Sequence, residues 1–70
     1  MTKFMVRRFN QDGVPETELL TIEAANEQEA AEKACGVALS AQPRPQIYCR
    51  AHVRRPQRLN DVPHMFYVPI

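Results

Sequence analysis

Two segments with the hydrophobic pattern of β-strands open the chain. Residues 3–9 are rich in bulky apolar side chains, and residues 17–24 resume a strand pattern. Between them, residues 10–13 read Asn-Gln-Asp-Gly, a composition typical of tight turns. The pattern therefore predicts a β-hairpin.

A helix is predicted to follow this hairpin. Asn26 stands three residues before Glu29, the spacing of a capping box in which the Asn side chain accepts a hydrogen bond from a free backbone amide. Small and apolar residues then recur at spacings of three and four: Ala30, Ala31, Ala34, Cys35, Val37, Ala38 and Ala41. Because Pro43 and Pro45 cannot continue a helix, the prediction is a helix over residues 27–41 that packs through an alanine-rich face.

The second half of the chain contains the clearest alternation. Apolar residues occupy one side of the predicted strand: Ile47, Cys49, Ala51 and Val53. Polar and aromatic residues occupy the other side: Tyr48, Arg50, His52 and Arg54. Residues 55–63 are predicted to form a loop and residues 64–68 a last strand, whose inward positions are Phe66 and Val68 and whose outward positions are Met65 and Tyr67.

The predicted order of elements is strand, strand, helix, strand, strand. One helix covers only one face of a sheet, so this order predicts an α+β fold with two layers, one helix packed on a mostly antiparallel four-stranded sheet. Residues 1–70 are predicted to form a single small domain, since a chain of this length has room for one core. The other face of the sheet must meet water or a partner.

The composition favours a compact chain over a disordered one, with 44% hydrophobic and 24% charged residues. No apolar run approaches the roughly 20 residues that cross a bilayer, and the N-terminus lacks the apolar segment of a secretory signal. We therefore expect a cytoplasmic protein with no membrane partner. In a reducing compartment Cys35 and Cys49 are expected to be free thiols, with Cys49 buried.

Charge is distributed unevenly, although the net charge is only +1. Between Arg8 and Lys33 the charged residues are all acidic: Asp12, Glu16, Glu18, Glu23, Glu27, Glu29 and Glu32. From residue 44 to residue 58 they are all arginine: Arg44, Arg50, Arg54, Arg55 and Arg58. Arginine presents a planar fork of donors and stacks on rings, so this second set favours contacts with phosphate, carboxylate or aromatic groups.

The face of the predicted sheet that the helix leaves uncovered brings arginines and aromatic rings together. The predicted binding residues are Arg7, Tyr48, Arg50, His52, Arg54, Arg55, Arg58 and Tyr67. Three interpretations are open: a solvated sheet surface, a surface that binds a protein or a second copy of the chain, and a surface on which single-stranded nucleic acid stacks its bases. The near-neutral net charge argues against a dedicated nucleic-acid-binding protein.

No catalytic residue, metal or cofactor is expected. Cys49 and His52 stand three residues apart on the predicted strand, which directs them to opposite faces and excludes a shared metal ion or a nucleophile and base pair. Gly13 and Gly36 are too few glycines for a phosphate-binding loop. The chain is therefore predicted not to be an enzyme.

The segment LTIEAANEQEAAEKA, residues 20–34, resembles the strand-to-helix passage of many small phage and mobile-element proteins, including some anti-CRISPR proteins. The resemblance implies a non-catalytic inhibitor that binds a host protein or nucleoprotein complex and blocks its DNA site or its nuclease recruitment. Many such inhibitors are acidic mimics of DNA, and the arginine-rich second half departs from that type.

Two alternatives to such an inhibitor remain. One is a single-stranded nucleic-acid-binding accessory protein, whose affinity falls steeply as salt rises. The other is a self-associating structural subunit that forms a homodimer through an edge strand or the uncovered sheet face.

Overall fold

The protein is a four-stranded antiparallel sheet with one helix on one face. The computed structural model describes residues 1–55 and 63–69. The elements in chain order are β1 (Thr2–Phe9), β2 (Pro15–Ala24), α1 (Glu27–Cys35), β3 (Cys49–Arg54) and β4 (His64–Tyr67). The strands lie in the order β2-β1-β3-β4, with antiparallel neighbours throughout. The predicted α+β fold and its order of elements are confirmed.

The turn between β1 and β2 is held by Asn10. Its Oδ1 accepts hydrogen bonds from the backbone amides of Asp12 at 2.8 Å and Val14 at 3.1 Å, in the manner of an Asx turn. Gly13 then adopts a φ of 75°, a left-handed conformation that glycine tolerates without steric cost. The predicted hairpin is confirmed, and β2 begins at Pro15, two residues before the predicted start of this strand.

Helix α1 begins as predicted and ends earlier than predicted. Asn26 is the N-cap, and its Oδ1 accepts from the Glu29 amide at 2.8 Å. The helix ends at Cys35 because Gly36 adopts a φ of 73° and donates its amide to the Glu32 carbonyl, the left-handed cap that closes many helices. The predicted extension to residue 41 is therefore wrong. In the described part of the chain, no helix has the length and apolar content of a membrane-spanning segment.

The main core lies between α1 and the sheet. Ala30 and Ala31 are fully buried there, which confirms that the helix packs through small side chains that allow it to lie close to the strands. The complete cluster comprises Phe4, Val6, Ala24, Ala30, Ala31, Leu39, Ala51, Val53 and Phe66. The predicted contributions of Val37, Ala38 and Ala41 are wrong, since these residues follow the helix and are exposed.

Strand β3 contains an irregularity that the alternating sequence does not reveal. Residues Gln46–Tyr48 form a 3₁₀ turn, so Ile47 precedes the strand and is exposed. The pairing register with β4 then shifts between Cys49 and Ala51, as in a β-bulge. Cys49 is fully buried as predicted, but it leaves the row of Ala51 and Val53 and clusters with Phe9 and Tyr67.

The remaining expectations for the second half concern the last strand and the loop before it. Phe66 is buried in the main core as predicted, whereas Val68 lies beyond β4 and is only partly buried. Residues 56–62 of the predicted loop lie outside the described residues.

Candidate functional site

The sheet face opposite α1 is defined by the pairing register. Arg7 of β1 lies opposite His52 of β3, and His52 lies opposite Met65 of β4. Leu19 of β2 lies opposite Arg7 on the other side. Side chains of one strand alternate between faces, which assigns the following residues to this surface, here called the open face: Lys3, Met5, Arg7, Leu19, Thr21, Glu23, His52, Arg54 and Met65.

A second, smaller hydrophobic cluster lies at one end of the open face. It consists of Phe9, Cys49 and Tyr67, all buried. Tyr67 is only 8% exposed, and its hydroxyl donates to the Met65 Sδ at 3.3 Å. Tyr67 therefore lies on the face that the sequence predicts for it, but its ring is used for packing within the protein.

His52 connects this cluster to the charged part of the open face. Its ring centroid lies 4.4 Å from that of Phe9, with the rings tilted by 44°. Its Nε2 is buried and has no hydrogen-bond partner among the described residues. Burial lowers the pKa of His52, and the positive charges of Arg54 and Arg7 lower it further. Both effects favour the neutral form of the imidazole.

We expect His52 to make the protein less stable in mild acid. The unfolded chain binds the proton near the ordinary histidine pKa of about 6.5, whereas the folded chain binds it only at lower pH. The stabilisation is therefore complete above about pH 6.5 and is lost as pH falls toward the lowered folded-state pKa. Urea unfolding at about pH 7.5 and about pH 5.5, repeated on His52→Gln, measures this contribution. An equal loss of stability in both proteins would show that His52 does not cause it.

Arg7 and Arg54 on the open face have no acidic partner among the described residues, whereas Lys3 lies opposite Glu23. Arg54 and Lys3 are exposed, and neither forms an ion pair or a side-chain hydrogen bond with any described residue. Arg7 forms no ion pair within the same ranges, and its guanidinium donates to the backbone carbonyl of Glu16 at 2.7 Å. Exposed apolar side chains lie beside them, with Leu19 48% and Met65 39% exposed. The surface therefore combines unneutralised positive charge with accessible hydrocarbon.

Tyr48 does not lie on the open face, contrary to prediction. It belongs to the 3₁₀ turn that precedes β3, where the Arg44 guanidinium lies 3.9 Å from its ring centroid. Arg44 also donates to the Val68 carbonyl at 2.6 Å, while the Val68 amide donates to the Tyr48 carbonyl. Tyr48 and Arg44 thus hold the segment before β3 against the end of β4.

Arg50 is also misplaced by the sequence alternation, because the bulge shifts the residues at the start of β3. Its guanidinium donates to the carbonyls of Ile47 at 2.7 Å and Cys49 at 2.9 Å. It lines a cleft of about 620 Å³ together with Arg8, Phe9, Gln11, Glu16, Cys35, Val37, Ala38 and Val68. Arg50 therefore ties backbone segments together and is separate from the open face.

The last two predicted arginines lie beyond β3. The Arg55 guanidinium pairs with the Glu27 carboxylate at the start of α1, at 3.2 Å. Arg58 lies outside the described residues. Of the predicted set, the open face therefore contains Arg7, His52 and Arg54, with Tyr67 buried at one end.

Burial affects both thiols in the same direction. Burial raises the pKa of Cys35, whose Sγ donates to the Arg50 carbonyl at 3.4 Å, and burial also raises the pKa of Cys49. Both cysteines are free, as predicted. Ionised thiolate, the reactive form, is therefore disfavoured at both positions.

The sequence excluded a metal site shared by Cys49 and His52 because the two were predicted to lie on opposite faces of the sheet. That prediction is wrong. Cys49 and His52 are not on opposite sides of the sheet, because the bulge places Cys49 in the cluster of Phe9, the ring on which His52 packs. Across residues 1–55 and 63–69, however, no three His, Cys, Asp or Glu residues are grouped so that they could hold a metal ion.

Sequence reasoning missed Lys3 and Leu19 as members of the open face. Both positions follow from the hairpin register, in which Lys3 lies opposite Glu23 and Leu19 opposite Arg7. The turn at residues 10–13 was recognisable, but the irregularity between Arg7 and Phe9 in this pairing shifts the register that a regular hairpin would have.

Comparisons with protein-family models, curated proteins and solved structures give no match to this chain.

Proposed function

We propose that the chain is a non-catalytic protein-binding module that uses its open face to bind an acidic, partly apolar surface of another protein. The observation that carries this proposal is the charge of Arg54, which has no acidic partner among the described residues, on the same face as the exposed side chains of Leu19 and Met65. Arginine and methionine are enriched at protein interfaces, and complementary charge steers association.

The positions of the aromatic rings favour a protein partner over single-stranded nucleic acid. Proteins that bind single strands stack the bases on accessible rings. Phe9 and Tyr67 are 7% and 8% exposed, and Tyr48 lies under Arg44 away from the open face. The cations of the open face could contact phosphates, but no exposed aromatic ring stands beside them within the described residues.

The finer proposal is that the partner is a host defence protein or nucleoprotein complex, which the chain inhibits in the cytoplasm. Support for it comes from the resemblance of residues 20–34 to small phage and mobile-element proteins, together with the surface just described. An acidic patch on such a complex is the chemistry that the open face would recognise.

Adjacent arginines allow a matched test of the open face. Arg54 belongs to it and has no described partner, whereas Arg55 pairs with Glu27 of the helix. We expect Arg54→Ala to weaken partner binding at least about tenfold, equivalent to 1.4 kcal/mol, and to change the free energy of unfolding by less than about 0.5 kcal/mol. Arg55→Ala is the control and should retain binding.

The measurement is affinity capture from nuclease-treated lysate of the native host cells, followed by titration with the purified partner. A fluorescent oligothymidine is titrated in parallel at low and high salt. Loss of binding in Arg55→Ala but not Arg54→Ala would refute the proposed surface. Tight, strongly salt-dependent binding of the oligonucleotide that requires Arg54 would instead support the nucleic-acid alternative.

A further inference from the structure

A cleft of about 620 Å³ lies beside the C-terminal end of α1, and no residue of the open face lines it. Cys35, the last residue of the helix, lines this cleft together with Arg8 of β1 and Arg50 of β3. Pockets of about 300–1,000 Å³ are typical of proteins that bind small molecules. The cleft therefore has the size of a ligand site.

Hydrocarbon forms a large part of the lining of this cleft. Val37 and Ala38, which follow the helix, are both exposed, and Val37 is 55% exposed. Val68 and the buried Phe9 also line the cleft. Removal of apolar surface from water is favourable, so this lining favours a ligand with an apolar body.

The charged groups of the cleft do not cancel. Its described lining contains two guanidinium groups, those of Arg8 and Arg50, and one carboxylate, that of Glu16. Arg8 pairs with Glu16 at 3.2 Å. Arg50 is half-buried and forms no ion pair with a described residue, and its side chain donates to backbone carbonyls instead. One positive charge therefore remains without a counter-ion in the cleft.

Both arginines act on the position of Cys35 inside the cleft. Burial raises the pKa of Cys35 overall, whereas the positive charges of Arg8 and Arg50 act to lower it and the negative charge of Glu16 acts to raise it. A positive charge that lowers the pKa of a thiol stabilises negative charge at that place. Because burial favours the neutral thiol, Cys35 does not supply this negative charge itself.

We propose that the cleft binds a small organic anion that joins one carboxylate to an apolar body. The Arg50 guanidinium receives the carboxylate, because its planar fork of donors matches a carboxylate and its charge has no counter-ion. Val37 and Ala38 contact the apolar body. The single excess positive charge matches a ligand with one negative charge. This site is separate from the open face and does not depend on the proposed function.

The test uses the full-length ¹⁵N-labelled protein and three probes. Phenylbutanoate carries both features of the ligand, phenylbutanol keeps the apolar body without the charge, and acetate keeps the charge without the body. We expect phenylbutanoate to cause saturable shifts of the amide signals of Arg8, Cys35 and Ala38, and the other two probes to bind at least about tenfold more weakly. Absence of saturable binding, shifts confined to the open face, or equal affinity for phenylbutanol or acetate would overturn the proposal.

Two exposed alanines provide a matched pair of variants. Ala38 lines the cleft, whereas Ala41, on the same segment after the helix, does not. Ala38→Glu adds a negative charge to the cleft and should weaken the binding of phenylbutanoate at least about tenfold. Ala41→Glu adds the same charge outside the cleft and should leave the affinity unchanged. Equal affinities of the two variants would place the binding elsewhere and refute the site.

Glu16→Gln is expected to improve binding, a result that misfolding does not produce. The substitution removes the one carboxylate that the described residues place in the lining and releases Arg8 from its ion pair. The affinity for phenylbutanoate should rise about threefold or more, as expected from the loss of one nearby like charge. An unchanged or lower affinity would show that the arginines of the cleft do not recognise the anion.

Discussion

Gly13→Ala is expected to lower the free energy of unfolding by about 2–5 kcal/mol, the sum of a left-handed backbone cost and an overpacking cost. The φ of 75° at Gly13 is strained for any residue with a Cβ. An added Cβ would also lie 2.5 Å from the Gln46 carbonyl oxygen and 2.8 Å from the Ile47 Cα, and both are backbone atoms that a change of rotamer cannot move. Urea unfolding followed by circular dichroism measures the change.

Gly36→Ala is the matched control for this variant. Gly36 has nearly the same φ, 73°, but an added Cβ meets nothing within 4 Å. Its cost should therefore be the backbone cost alone, about 1–2 kcal/mol. Equal destabilisation by the two variants would show that the turn between β1 and β2 does not press against the segment before β3.

Phe9→Ala is expected to destabilise the protein by about 3–5 kcal/mol, although Phe9 lies on the side of the sheet without the helix. The ring is buried with Cys49 and Tyr67 and packs on His52, so truncation leaves a cavity in the second cluster. Chemical denaturation of the variant and the wild type provides the comparison.

Leu19→Ala tests whether the destabilisation by Phe9→Ala results from the burial of the side chain, and not merely from its position on the sheet face without the helix. Leu19 belongs to the same face but is 48% exposed, and its truncation should cost about 1 kcal/mol or less. If Phe9→Ala were as mild as Leu19→Ala, the second cluster would be a surface contact and not a part of the core.

Local signals in the sequence account for most of the fold. The Asn26 cap, the turn at residues 10–13 and the alternation in β3 each act within a few residues, so their elements were predictable. The early end of α1 was also predictable from the sequence. A glycine directly after the last helical residue, here Cys35, together with a basic residue such as Lys33 in the last turn, commonly ends a helix. The prediction instead extended the helix to the prolines, since alanines continue at helical spacing after Gly36.

The composition of the site was less predictable, for a physical reason. Apolar residues alternate from Ile47 to Val53 without interruption, yet the 3₁₀ turn and the bulge remove the first two from the helix-facing row. A β-bulge can form without any particular residue type. It changes the face of the sheet to which the side chains before it point. Arg54 and His52, which follow the bulge, were assigned correctly, whereas Arg50 and Tyr48 were not.

The position of β1 also determines the order in which the sheet can form. β1 pairs with β2, to which a short turn connects it. Its other neighbour is β3, where Val6 lies opposite Val53, which is far from it in the sequence. The hairpin can close quickly, because a short loop loses little entropy. The central pairing must wait for a long loop to close, and contacts of such high sequence separation slow folding. In a chain that is still being synthesised, one edge of β1 would therefore remain unpaired until β3 is available to pair with it.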